Sequence, residues 1–515
     1  MNRAAGPIVQ TASGEVRGRW RDTGAVFRGI PYARAPVGAL RFAAPAPVLP
    51  WDGVRAATEI GPTPQRRPFP AVAMIPERTV PGEETLTVDV FTPVPGQPGR
   101  RLPVLVWVHG GGFTAGVPAS PWYDGAAFNR DGIVVVSLSY RLGFDGFGWI
   151  EDAPSNRGVR DQIAALGWVQ ENIAAFGGDP GSVTIAGQSA GGTSVLTLLA
   201  APAAQHLFRS VISHSAAVRS QDAAAAERLG RQMAEAAGVP PTRAGWSRLS
   251  EDDVLDVQAP HGFRPLTGPV DPVALAQRSL FPDDDGLAFG PVADGDLVPQ
   301  RVDAALAQGV GADKPLLAGT TAHEFTMSLL RVENSLADLD ARAVLTQAGL
   351  PAGAAEEFLR DHPELAEPAL QLAQLRTEAV FRLPLLRWAE TRAQRGGGAD
   401  RTWLYDFRWR GTASGLAVHC VDLPFAWDLL DAEGVPAALG EAPPQPLADA
   451  MHGAWVRFVR DGDPGWARWA DHRAGMLFDQ DSGAGPLYEV ERRLQQAISR
   501  VRPSSGAGAH GPAPG

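Results

Sequence analysis

A serine set between glycines, where an apolar strand runs into an apolar helix, constrains this chain more than any other feature. Gly187-Gln188-Ser189-Ala190-Gly191 reads G-x-S-x-G. Ser182 to Ala186 before it has the pattern of a short buried strand, and Ala190 to Leu199 after it reads as a helix. In so tight a turn the serine hydroxyl is thrust out above the sheet, while the two glycines allow the close backbone approach that the turn forces. A glycine-rich turn that merely contains serine is the plainer alternative. The strand-to-helix context favours a nucleophile.

The neighbouring pattern extends that unit into an α/β architecture. Val104 to Val108 and Ile133 to Leu138 are continuous apolar runs, as expected of strands covered on both faces of a parallel sheet. Val159, Ile163, Leu166, Val169, Ile173 and Phe176 recur at spacings of three and four, one helical stripe that Gly177, Gly178 and Pro180 stop. Ser210 to Ser213, Pro315 to Ala318 and Thr402 to Phe407 read as further short strands, and the alternation with helices implies a right-handed, doubly wound sheet. Ile8 to Arg19 and Ala25 to Ile30 suggest a small antiparallel sheet at the start of the chain. Two segments, 221–291 and 331–394, break the rhythm with Ala, Leu, Glu, Asp and Arg at helix-like spacing, and are expected to be helical insertions over one end of the sheet. Residues 1–503 are read as a single domain. The segment 504–515 holds only Gly, Ala, Pro, Ser and one His, and is expected to be a disordered tail.

Composition removes several functional classes. The net charge is −11, so the overall field repels nucleic acid. No run approaches the 18 or so apolar residues of a membrane span, and Met1 to Gly18 lacks the apolar stretch of a secretion signal, which leaves a cytoplasmic protein as the expectation. Cys420 is the single cysteine, so the chain forms no internal disulfide, and no Cys/His cluster suggests a metal. The sequence carries no signal for an oligomeric state.

His109-Gly110-Gly111-Gly112-Phe113 directly follows the strand ending at Val108 and is similar to the H-G-G-G pattern of lipases and esterases. Phe27-Arg28-Gly29-Ile30-Pro31-Tyr32-Ala33, Glu83-Glu84-Thr85-Leu86 through Phe91-Thr92-Pro93, and Phe176-Gly177-Gly178-Asp179-Pro180 continue a match that runs from about Gly6 to about Gly465. On these residues the chain resembles the type-B carboxylesterases, the group that includes bacterial p-nitrobenzyl esterases and the cholinesterases. Thr85 stands where many members carry a disulfide cysteine.

The resemblance implies an α/β-hydrolase fold with a mostly parallel central sheet, helices on both faces and helical insertions over the active site. It implies a triad in the chain order serine, acid, histidine. Gly319-Thr320-Thr321-Ala322-His323-Glu324-Phe325 is similar to the family's G-x-N-x-x-E-G and nominates Glu324 as the acid, with Asp422 the nearest rival and Phe325 in place of the usual glycine. Gly415-Leu416-Ala417-Val418-His419-Cys420 through Phe425 nominates His419 as the base, with Cys420 where glycine is usual. By the same resemblance the N–H groups of Gly111, Gly112 and Ala190 form the oxyanion hole, and Ser215 lies near the base. Arg141 and Asp161 occupy positions that look structural. The implied activity is hydrolysis of a small carboxylic ester without any cofactor. The same machinery acting on carbamates, thioesters or lipids is an alternative, and a non-catalytic binding protein a more remote one. Gln188 is neutral where cholinesterases carry glutamate, so neutral esters are expected to be preferred over choline esters.

Overall fold

The computed structural model describes residues 6–67, 74–217, 220–262, 270–281, 287–394 and 401–501. The expected tail at 504–515 lies outside the described residues. Among the described residues eleven strands form one mixed sheet: β1 Arg19–Arg21, β2 Gly24–Pro31, β3 Thr87–Thr92, β4 Leu102–Val108, β5 Val134–Leu138, β6 Gly178–Gln188, β7 Ser210–His214, β8 Leu316–Thr321, β9 Thr402–Phe407, β10 Ala474–Phe478 and β11 Gly483–Pro486. Their spatial order is β11-β10-β9-β8-β7-β6-β4-β5-β3-β2-β1. The seven strands from β10 to β5 pair in parallel, and antiparallel strands close both flanks.

The apolar runs are continuous because both faces of the central strands are covered. In β4, Val104, Val106 and Val108 enter one core cluster while Leu105 and Trp107 enter another on the opposite face. The helix Arg157–Asn172 buries Val159, Leu166 and Val169 as its spacing requires. It tightens into the 3-10 turn Ile173–Phe176 and ends at Gly177, whose φ of +86° is a left-handed cap.

One early expectation is corrected. Ile8 to Arg19 is not one strand: Ile8–Thr11 and Gly14–Arg17 form a hairpin that Val54–Ala56 joins as a separate three-stranded sheet. The second hairpin, β1 and β2, instead edges the large sheet through β3. The break comes at Gly14, whose φ is +153° and where a Cβ would stand 2.4 Å from the Trp51 indole nitrogen.

Both interrupting segments are mainly helical where described, though the first opens on a two-residue strand, Gln221–Asp222, paired with Val292–Ala293. The first carries Ala223–Ala236, Arg243–Trp246, Glu251–Gln258 and Pro272–Leu280. The second carries Ala341–Gln347, Ala352–Asp361, Pro368–Thr377, a π-helical turn at Glu378–Arg382 and Leu383–Ala393. The second has its own apolar core, in which Leu345, Phe358, Leu372 and Leu375 pack with Leu494 and Ile498 of the late helix Glu489–Val501.

The register lines up the carboxyl ends of the parallel strands. Val108 pairs with Gly187, Gln188 with His214, His214 with Gly319, and Thr321 with Phe407. The segments that follow these ends therefore share one rim of the sheet, and every nominated site residue is on them.

Candidate active site

Ser189 leaves β6 with φ +57° and ψ −120°, a conformation few residues adopt unless their surroundings dictate it. Two hydrogen bonds impose it. The Ser189 N–H donates to the His214 carbonyl at 2.9 Å, and its carbonyl accepts from the Thr193 N–H at 2.8 Å. Gly191 permits the turn, since a Cβ there would stand 2.0 Å from the Val108 carbonyl oxygen. The helix Ala190–Ala200 begins at once, so the Ala190 N–H lies in a first turn that has no intrahelical acceptors.

The glycine loop after β4 lies against this turn. A Cβ on Gly110 would come within 2.7 Å of the Gln188 carbonyl and 3.2 Å of the Ser189 Cβ, so only glycine lets the two segments approach. Gly111 and Gly112 continue with φ of +110° and +60°. His109 anchors the base of the loop. Its ring stacks on Tyr140 at 4.6 Å and its Nδ1–H donates to the Gly110 carbonyl at 2.8 Å, while the Tyr140 hydroxyl donates to the His109 carbonyl at 2.9 Å. Burial pushes the His109 pKa down to about 4, so this ring stays neutral.

Glu324 and His419 meet above β8 and β9. The Glu324 side chain is wholly buried. Its Oε1 accepts from the Thr321 N–H at 2.9 Å, and its Oε2 pairs with His419 Nδ1. A backbone bond from the His419 N–H to the Glu324 carbonyl, 3.1 Å, ties the two loops directly. The other ring nitrogen, His419 Nε2, is 3.0 Å from the Gln188 amide nitrogen, next to Ser189 in the chain. Burial disfavours charge on His419, whereas Cys420 and the Glu324 carboxylate favour it, and the balance lifts its pKa well above the ordinary histidine value. Phe325 and Phe381 each pack 5.1 Å from the imidazole. Phe325, the departure from glycine, therefore supplies a wall beside the ring, and Phe381 reaches it from the π-helical turn of the second insertion.

Asp422 does not touch His419. Its Oδ2 is 3.0 Å from His214 Nδ1 and accepts from the Tyr405 hydroxyl at 3.1 Å, while the Trp455 indole N–H donates to His214 Nε2 at 2.9 Å. Ser215 is buried with φ +48°, its N–H on the Gly319 carbonyl at 2.8 Å. Cys420 is half-buried and adopts φ +74°, which accounts for glycine being usual there. Arg141 and Asp161 form a buried bidentate pair at 2.7 and 2.8 Å. Sequence reasoning missed three things: that Gln188 reaches the imidazole, that Phe381 flanks it, and that His214 holds Asp422. Only Gln188 carried a signal, its place beside Ser189. Among the described residues no group of His, Cys, Asp or Glu side chains is placed to hold a metal ion, and no helix is long and apolar enough to cross a membrane.

Known proteins resemble this one along almost the whole chain. The model of the Carboxylesterase family matches residues 5–475. The para-nitrobenzyl esterase of Bacillus subtilis is 33% identical over 89% of this chain and 90% of its own. The phenmedipham hydrolase of Pseudarthrobacter oxydans is 32% identical over 95% of this chain and 97% of its own. The crystal structure of a Geobacillus stearothermophilus carboxylesterase superposes with a TM-score of 0.77 at 32% identity, covering 95% of this chain and 99% of the other. The rim of loops around Ser189 thus sits on an α/β-hydrolase fold, and the chain is a carboxylic ester hydrolase of the carboxylesterase family.

Proposed function

We propose that Ser189, His419 and Glu324 are the catalytic triad and that the N–H groups of Gly111, Gly112 and Ala190 hold the oxyanion. The contact of Glu324 with His419 Nδ1, which turns Nε2 toward the Ser189 turn, carries this reading. His419 Nε2 takes the Ser189 hydroxyl proton as the oxygen attacks the ester carbonyl, and the same proton then goes to the departing alcohol. A water deprotonated by His419 next attacks the acyl-enzyme, releasing the acid and restoring Ser189. Glu324 orients the ring and stabilises its charged form. Each oxyanion donor contributes about 3 kcal/mol in the transition state.

The substrates are neutral esters of short or medium chain, and residues 1–503 act as one catalytic domain in the cytoplasm. The absence of a carboxylate at Gln188 supports the preference for an uncharged alcohol, since an amide supplies no full charge to a quaternary ammonium. The test compares kcat/KM for phenyl butyrate and butyrylcholine at moderate ionic strength, beside p-nitrophenyl esters of increasing acyl length. A preference for the choline ester defeats the substrate reading. Turnover by Ser189→Ala at the wild-type rate defeats the triad.

A further inference from the structure

Gln188 is fully buried, precedes Ser189 in the chain, and places its amide nitrogen 3.0 Å from His419 Nε2. An amide nitrogen only donates. A ring nitrogen that accepts from it carries no proton, and the proton of the neutral imidazole is then on Nδ1, facing Glu324. This is the tautomer that a base acting through Nε2 requires. The same nitrogen has a single in-plane lone pair, so the Gln188 N–H and the Ser189 hydroxyl compete for one acceptor.

We propose that Gln188 is a positioning residue for His419: its amide caps Nε2 in the resting enzyme, keeps that nitrogen free of a proton, and yields it to Ser189 when an acyl substrate enters. The proposal rests on the triad reading. The groups facing the ring are few. Glu324 meets Nδ1, Cys420 follows it in the chain, Phe325 and Phe381 pack against it, and Arg376 lies over the Phe325 ring at 5.7 Å. Gln188 is the neutral hydrogen-bonding group at the reactive nitrogen. A carboxylate in its place could only accept, and would hold a proton on Nε2 in the state that cannot act as a base.

The test replaces Gln188 by Glu and by Met, which is of similar length but cannot cap the ring. For Gln188→Glu the acid limb of kcat/KM on a p-nitrophenyl ester moves to higher pH by about one unit, roughly a tenfold loss on the limb that recovers at alkaline pH. For Gln188→Met the acid limb moves up by less than for Gln188→Glu, because Nε2 loses its donor without gaining a charged neighbour, and the loss that persists at alkaline pH falls on kcat rather than KM, because the ring loses its anchor. Superimposable acid limbs for wild type and Gln188→Glu would overturn the proposal. A second readout needs no turnover: in the full chain carrying Ser189→Ala, the His419 ring nitrogens are followed by NMR, assigned by their loss in His419→Asn. Adding Gln188→Glu should raise the His419 titration midpoint by the same unit, and an unchanged midpoint sinks the capping contact. Wild-type turnover by Ser189→Ala would instead condemn the triad reading and leave this second readout valid.

Discussion

Of the histidine–carboxylate pairs at the carboxyl rim of the sheet, His214–Asp422 and His419–Glu324 differ in what reaches the second ring nitrogen. In His214–Asp422 both nitrogens are fixed by rigid groups, Asp422 on Nδ1 and the Trp455 indole on Nε2, and the histidine side chain is 1% exposed. In His419–Glu324 the carboxylate is just as buried, but the histidine is 16% exposed and its Nε2 meets the Gln188 side-chain amide. A buried carboxylate is therefore common to both and does not make a base. What distinguishes His419 is an unprotonated nitrogen that another group can reach. The sealed pair still matters to the site, because the His214 carbonyl holds the Ser189 N–H and Asp422 lies three residues beyond His419. It fastens the Ser189 turn to the His419 loop.

Exchanging each carboxylate for its amide breaks this comparison most directly. Glu324→Gln should lower kcat by about two to four powers of ten, the range of a lost general-base arrangement, with the fold intact. Asp422→Asn should cost less than about tenfold in kcat, and instead lower stability by roughly 1–3 kcal/mol in urea unfolding, because the amide oxygen still accepts from His214 and Tyr405 but without the charge that strengthens both bonds, and the buried amide N–H group takes the place of Oδ1, which has no partner. If the two kinetic effects are reversed, Asp422 is the acid.

This division was only half legible in the sequence. The turn at Ser189 is legible because a strand, two glycines and a helix are contiguous, and the sheet is legible because strands covered on both faces become unbroken apolar runs. Glu324 and His419 could be nominated because the stretch around each, after a strand, resembles a motif of the family. Their separation from Asp422 could not be read, since it depends on His214, Tyr405 and Trp455 arriving from three distant segments, and residues so far apart leave no local pattern. Phe381 was hidden for another reason. The π-helical turn Glu378–Arg382 shifts the helical phase that periodicity arguments assume, so spacing does not reveal which side chain faces the imidazole. The split of Ile8 to Arg19 into two strands was missed for want of weight on Gly14 inside an alternating run.

The pH profile sharpens the contrast from the side of His419. Burial alone would disfavour the imidazolium, but Cys420 and Glu324 outweigh it, so the folded pKa is raised. The base is active only when neutral. kcat/KM should therefore fall as pH decreases through a midpoint above 6.5, the ordinary histidine value, and should level off on the alkaline side. Glu324→Gln removes one of the groups favouring the charge, so the limb of its residual activity should lie at lower pH than that of the wild type. A wild-type midpoint below 6.5, or a limb that Glu324→Gln moves upward, would contradict the assigned partner.

The smallest effect belongs to Cys420, which follows the base at φ +74° in a region where side chains cost about 1–2 kcal/mol and glycine costs none. Alanine and glycine both remove the thiol, and they differ in how the backbone tolerates that angle. Cys420→Gly should therefore be more stable than Cys420→Ala by about 1 kcal/mol, less whatever glycine loses through its freer unfolded chain, the reverse of their order inside a helix. On the alkaline plateau both variants should keep kcat/KM within about threefold of wild type, since the proposed nucleophile is Ser189, while the acid limb moves to lower pH because Cys420 favours the charged form of His419. Urea unfolding reads the first expectation and initial rates on a p-nitrophenyl ester the second. Equal stabilities would mean that the loop relaxes around alanine and the left-handed angle is not imposed by the pairing of His419 with Glu324. A loss of several powers of ten in both variants, with an alkaline thiol ionisation governing the wild-type rate, would make Cys420 rather than Ser189 the attacking group.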